Sequence, residues 1–275
     1  LKKKLQLKYL MMMNQANSME VPILSDIKSK GKSPEYLFWI GCSGSFDDRS
    51  KKVTKAFIKI LNRAAVSYAI LGKEESCTGD PAKRAGNEFL FQMKAISNIE
   101  ILNSYDVKNI ITTCPHCFNT LKNEYPELGG NYKVIHHTTF INNLVKENKI
   151  SISGGVYKGK KITYHDPCYL GRANGIYEAP RELIKKLDAE LVEMKSCKSK
   201  SLCCGAGGAQ MFKEPEKGNQ DINIKRSDEA IKTDAKIVAV SCPFCSTMMR
   251  DGMTSKQKEI DVVDIAQMIE KAEDL

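Results

Sequence analysis

The chain has 275 residues, 42% of them hydrophobic and 27% charged, with a formal net charge of +9. That length suffices for two modest domains. No apolar run approaches the roughly 18 residues a bilayer span needs, and the lysines are interleaved with acids, which describes a solvated surface and argues against a nucleic-acid footprint.

Residues 1–35 read as a disordered N-terminal tail. The opening "LKKKLQLKYLMMMNQANS" has a basic start and a short apolar patch, but lysines break the patch and no small-residue cleavage site follows, so it is not a signal peptide. From Tyr36 the pattern becomes regular. "EYLFWIGC" is a short apolar strand ending at Cys42, and "VTKAFIKILNRA" repeats Val53, Phe57, Ile60, Leu61 and Ala64 at helical spacing. "SYAIL" reads as a strand before Cys77, and "NEFLFQMKAISNIEIL" as an amphipathic helix. "KNIITT" is a strand leading to Cys114, where a C-x-x-C opens a further helix, and "YKVIHHTTF" is a strand end running into a helix. Further along, "KKITYHDPC", "ELVEM" and "KIVAV" take the strand parts. Strands alternating with helices imply parallel sheets covered on both faces, with sites outside the carboxyl ends of the strands.

The ten cysteines show why these elements recur. Eight of them form two series, Cys42, Cys77, Cys114, Cys117 and Cys168, Cys204, Cys242, Cys245. The steps are 35, 37 and 3 in the first (77−42, 114−77, 117−114) and 36, 38 and 3 in the second (204−168, 242−204, 245−242). "TTCPHCFNTLKNE" also answers "VSCPFCSTMMRDG", so the chain is an internal duplication. The expected fold is therefore α/β, two pseudo-symmetric repeats over 36–150 and 151–275, each a mostly parallel sheet flanked by helices. With no secretory signal ahead of them, ten cysteines point to a reducing compartment, the cytoplasm, where thiols serve as metal ligands or redox groups more often than as bridges.

A C-x-x-C plus two distant cysteines supplies four thiolates, enough for tetrahedral zinc or an iron–sulfur cluster. A dithiol of the thioredoxin kind would need only the pair. The second repeat offers five thiols, Cys168, Cys203, Cys204, Cys242 and Cys245, where the first has Ser76 opposite Cys203; five exceeds what tetrahedral zinc can use. Gly205, Gly207 and Gly208 would let backbone N–H groups approach an anionic core.

In these residues, "HDPCYLGR", "LCCGAGG" and "CPFC" above all, the chain from about Tyr36 onward resembles the cysteine-rich "CCG" domain of heterodisulfide reductases and related iron–sulfur oxidoreductase subunits. The resemblance implies a non-cubane [4Fe–4S] cluster held by Cys168, Cys203, Cys204, Cys242 and Cys245. "SCTGD" departs from the motif and leaves Cys42, Cys77, Cys114 and Cys117, for which a structural zinc, a second iron–sulfur cluster and an empty site are the alternatives. The implied function is electron transfer between a dehydrogenase partner and a quinone or disulfide acceptor, at a location peripheral to a membrane complex or free in the cytoplasm. The ferredoxin pattern C-x2-C-x2-C-x3-C found in many members is absent. Redox partners, a ferredoxin-type or membrane iron–sulfur subunit and a flavoprotein dehydrogenase, are expected to supply that path. The rival reading is a zinc-stabilised interaction module without redox activity.

Other residues carry weaker signals. His165 and Asp166 are candidate proton donors, or hydrogen-bond partners of a ligand sulfur. His116 sits between two ligands, with Phe244 as its counterpart, and His136 and His137 end a strand. "GAGGAQ" has Gln210 where a dinucleotide fingerprint needs its third glycine, so nicotinamide binding is not expected. Cys197, in the basic "KSCKSKS", is expected as an exposed thiol of lowered pKa.

Overall fold

A computed structural model describes residues 21–214 and 217–275. Each repeat builds a four-stranded, wholly parallel sheet. The first contains β1 (Tyr36–Trp39), β2 (Tyr68–Ala69), β3 (Asn109–Thr112) and β4 (Lys133–His136) in the order β2-β1-β3-β4. The second contains β5 (Lys161–Tyr164), β6 (Glu190–Leu191), β7 (Ile237–Val240) and β8 (Asp261–Asp264) in the order β6-β5-β7-β8. The strands are short and apolar because both faces are covered; all four residues of β7, Ile-Val-Ala-Val, are buried.

The strand order reverses between β1 and β3 in the first sheet and between β5 and β7 in the second. Such a switch point leaves a crevice at the carboxyl ends of the central strands. Cys42 and Cys114 follow β1 and β3, and Cys168 and Cys242 follow β5 and β7, so each C-x-x-C opens at the crevice of its own sheet.

The repeats share one core and bury a smaller one each. The largest apolar cluster joins Phe38, Phe57, Ile60, Leu61, Phe140 and Ile141 of the first to Ile162, Leu183, Ile184, Ile265, Met268 and Ile269 of the second. Lys59 of the first repeat also reaches Glu270 Oε1 (2.6 Å). Each sheet's other face has a cluster of its own, around Trp39, Phe91 and Tyr125 in the first and around Val240, Met249 and Met253 in the second. A core shared in this way makes the two repeats one folding unit.

Two expectations need correction. Within the segment read as a tail, residues 21–35 are structured: Ile23 bridges Ile70 in parallel, Ile70 N donates to Pro22 O (2.9 Å), and Leu24 opens the helix Leu24–Ser29 with 1% exposure. Leu24 fills the first repeat's outer cluster, which the apolar run "VPIL" permits. Residues 1–20 lie outside the described residues. The helix Glu88–Ser104 is not amphipathic, since it buries Phe91, Ala95, Ile99 and Leu102 while Phe89, Leu90, Met93 and Ile96 stand exposed. Among the described residues no helix is long and apolar enough to cross a membrane.

Candidate metal centre

In the second repeat, Cys168 lies on the turn after β5, and Cys242 caps the helix Pro243–Ser255 that also carries Cys245. Cys203 and Cys204 sit on an irregular loop that polar contacts hold in place. Arg172 Nη1 donates to Ser201 O (2.6 Å), and the Lys198 backbone N–H donates to the Asp166 carboxylate (2.8 Å). The loop then turns at Gly205, whose φ of +94° is in the left-handed region and whose N–H donates to Cys203 Sγ (3.3 Å). Bare backbone after the paired thiols thus delivers an amide directly to a sulfur.

The thiols share protons. Hydrogen bonds from Cys168 and Cys204 pull Cys203 far below an ordinary thiol, helped by the Gly205 and Gly207 amides, while the same bond pushes Cys168 up. Burial works against ionisation of Cys242, yet bonds from Cys245 and His116 bring it down to about 5. Cys204 is raised first by its bond with Cys203, against the bond from Cys245, and Cys245 is raised first by its bond with Cys204. A cation entering this set would displace the shared protons, which couples its binding to pH.

The first repeat repeats this architecture with one change, and the change is not where matching Cys77 to Cys204 put it. Gly79 (φ +88°) donates its N–H to Cys77 Sγ at 3.4 Å, as Gly205 does to Cys203. Cys77 is lowered to about 6, first by its bond with Cys42, as Cys203 is by Cys168. Cys42, Cys77 and Gly79 therefore match Cys168, Cys203 and Gly205 at a constant offset of 126 (168−42, 203−77, 205−79). The residue opposite Cys204 is Thr78, 1% exposed, with its hydroxyl 3.9 Å from Cys117 Sγ. Ser76, expected as the substituted position, turns away to Asn98 Oδ1 (2.9 Å). The step of 35 residues from Cys42 to Cys77 recurs from Cys168 to Cys203 and not to Cys204, so the spacing already held this register, and the left-handed glycine two residues on confirms it in both copies.

The two sites face each other. His116, 6% exposed, packs its ring on Tyr169 (centroids 4.5 Å) and on its own counterpart Phe244 (4.6 Å), and hydrogen-bonds Cys242 of the other repeat. Burial opposes its protonation, but Asp80 and the Cys242 sulfur raise it well above an ordinary imidazole. Asp80 lies 2.9 Å from His116 Nδ1 and 3.0 Å from Arg84 Nε, and despite its burial these partners hold it below the usual carboxylate range. Ile40, Gly41, Cys42, Cys77, Thr78, Cys114, His116 and Cys117 line a cavity of about 10 Å³, about the space of one water.

The other candidates fall in different surroundings. His165 is buried, with a ring nitrogen within 4.8 Å of the Cys204 and Cys245 sulfurs; burial and then Arg226 lower it to about 3. Asp166 is spoken for, its two oxygens gripped by Arg181 Nη1 (2.7 Å) and Nη2 (2.9 Å). His136 and His137 lie at the seam between repeats: His136 meets the backbone of Thr113 and Ser241, each just before a cysteine, and His137 Nε2 meets Asp264 (3.2 Å). Cys197 is half-buried and is raised, not lowered, by burial and then Glu193. Arg226, Arg181, Asp80 and Thr78 give no signal in the sequence, since isolated charged or hydroxyl residues carry no spacing pattern.

Paired α/β repeats, each gathering cysteines from three loops at its switch point, define a class of duplicated thiol-site proteins. The chain belongs to the cysteine-rich domain family, whose model matches residues 36–122 and 162–250, in agreement with the resemblance drawn from the motifs. It is similar to the probable iron-sulfur-binding oxidoreductase FadF of Bacillus subtilis, with 42% identity over 259 residues, 93% of this chain and 36% of that protein. The EtfAB:quinone oxidoreductase of Syntrophomonas wolfei is 44% identical over 250 residues, 88% of this chain and 35% of that one. One subunit of the dihydromethanophenazine:CoB–CoM heterodisulfide reductase of Methanosarcina mazei is 30% identical over 254 residues, 90% of this chain and 61% of that one. The chain spans about a third of the length of the first two relatives.

Proposed function

We propose that this chain is the cysteine-rich, cluster-binding part of an iron–sulfur oxidoreductase, with Cys168, Cys203, Cys204, Cys242 and Cys245 holding a non-cubane [4Fe–4S] cluster. The observation that carries the reading is the convergence of five thiols in the second repeat, one more than a tetrahedral ion uses, with the Gly205 amide already aimed at one sulfur. The names of the relatives, an iron–sulfur oxidoreductase, a quinone oxidoreductase and a heterodisulfide reductase, support redox chemistry and a quinone or disulfide acceptor.

When bound, such a cluster supplies one-electron transfer. The chain's own residues order and tune it. The Ser201–Gly205 loop pre-sets two thiolates, Asp80 orients His116 towards Cys242, and the rings of Tyr169 and Phe244 pack against His116 between the sites. In the first repeat, Cys42, Cys77, Cys114 and Cys117 line one small cavity and are by number and type a zinc donor set, to which Thr78 adds no soft fifth donor. Electrons then pass through partner proteins, a flavoprotein dehydrogenase on one side and a ferredoxin-type or membrane iron–sulfur subunit on the other, in a reducing compartment.

The test is anaerobic purification with iron, sulfide and zinc analysis and a visible spectrum on one sample. About four irons and four sulfides per chain, lost on Cys203→Ser, is the expected result. A colourless protein holding zinc alone, after expression with an active cluster-assembly system, would leave the interaction-module reading in its place.

A further inference from the structure

Arg226 is fully buried against the second thiol site, and four of its five N–H groups meet acceptors. Nε donates to His165 Nδ1 (3.0 Å), Nη1 to Ser196 O (2.7 Å) and Glu229 Oε2 (2.5 Å), and Nη2 to Ser201 Oγ (3.3 Å). A guanidinium has donors only and stays charged in proteins. Nδ1 of His165 must therefore offer its lone pair, and the single ring proton sits on Nε2. A second proton would set N–H against N–H beside a fixed positive charge.

By distance alone, His165, Cys204 and Cys245 make a three-ligand metal site, with ligand atoms within 4.8 Å of one another. The lone pairs say otherwise. Arg226 occupies the one on Nδ1, and Nε2 bears a proton, so neither nitrogen can coordinate a metal.

We propose that Arg226 locks His165 in the neutral Nε2–H tautomer, so that beside Cys204 and Cys245 the ring has only an N–H to offer a cluster sulfur and is neither a metal ligand nor a proton donor in turnover. Arg226 is the positioning residue. Its anchors explain how it holds the ring without strain: Glu229 lies one helical turn along on the helix Ile222–Ile231, and Ser201 belongs to the loop that carries Cys203 and Cys204. The same side chain thus sets the histidine and the thiol loop in one geometry.

The lock itself is tested in the cluster-free chain, by two-bond 1H–15N correlation of the imidazoles in 15N-labelled protein. His165 is expected as the single Nε2–H tautomer at about pH 7. An Nδ1–H tautomer, or a mixture of the two, overturns the proposal. Arg226→Gln should release the ring into tautomer exchange, and if that variant does not fold, the wild-type spectrum decides alone.

The consequence for a cluster rests on the function proposed above and is read in cluster-loaded protein. His165→Leu should keep its iron and sulfide while the midpoint potential moves negative, because an N–H donor to sulfur stabilises the more negative reduced state. His165→Gln, which carries an N–H near the Nε2 position, should restore the potential. Loss of iron in His165→Leu would make His165 a ligand, and an unchanged potential would make it packing alone; either refutes the donor role. A wild-type chain that takes up no iron refutes the proposed function and leaves the tautomer result standing.

Discussion

Thr78→Cys should turn the first repeat into a copy of the second. The side chain is 1% exposed, and its hydroxyl already points at Cys117 as Cys204 points at Cys245. The substitution exchanges a hydroxyl for a thiol and deletes one buried methyl, at a cost of about 1 kcal/mol. In a chain of this size that is about 2–4 °C in melting temperature, so the fold survives. With the fifth thiol present, iron after anaerobic reconstitution should rise from about four to about eight per chain, with sulfide in step and doubled visible absorbance. The reciprocal Cys204→Thr should empty the second repeat of iron and leave a site of the first repeat's kind. Both variants are read by chemical iron and sulfide analysis beside a zinc measurement. If Thr78→Cys leaves iron at the wild-type level while Cys204→Thr retains all of it, the fifth thiol does not decide cluster binding, and the reasoning from donor count fails.

Cys168→Ala should abolish or strongly diminish the visible chromophore, whereas a dithiol reductase working through one C-x-x-C would keep its activity; spectrum and thiol-exchange assay on one sample separate the two. Asp166→Ala strips Arg181, itself 3% exposed at the side chain, of its bidentate partner while leaving Glu193. That places the loss at the lower end for a broken buried ion pair, about 3 kcal/mol, or about 6–12 °C in melting temperature, and an unchanged melting temperature would contradict the structural role given to Asp166. His136 is pushed well below an ordinary imidazole, first by burial and then by His137. Its native form therefore binds fewer protons than the unfolded chain below about pH 6.5. Its contribution is complete above that pH and is lost as pH falls, by at most about 1.4 kcal/mol per pH unit. Denaturant titrations of the metal-free chain from about pH 7 to about pH 5 should show this slope together with the like contribution of buried His165, and His136→Phe should reduce it.

Much of the fold is legible in the sequence because hydrophobic periodicity and duplication reinforce each other. Runs such as "YLFW" and "IVAV" are short, apolar and bounded by turns, and each recurs at a fixed offset, so the strand positions and parallel pairing follow from pattern. The strand β8 is not legible, because "DVVD" is only two apolar residues between acids, and its pairing with β7 depends on a neighbour 24 residues away (261−237). Matching Cys77 to Cys204 sets the paired-thiol loop one residue out of register; the step from the first cysteine is 35 residues in both copies when Cys77 answers Cys203, and it is the loop downstream that differs, 37 residues against 39 (114−77, 242−203).

What the sequence determined by itself is the chemistry on offer: ten thiols, their grouping by repeat, the glycines beside them, and the family they mark. Covalent order suffices for that, because which residues follow a strand is a local property of the chain. The tertiary structure decided how His116 of one repeat comes to touch Cys242 of the other, and which nitrogen of His165 holds its proton. Those depend on side chains 61 to 126 residues apart, brought together by the core the two repeats share.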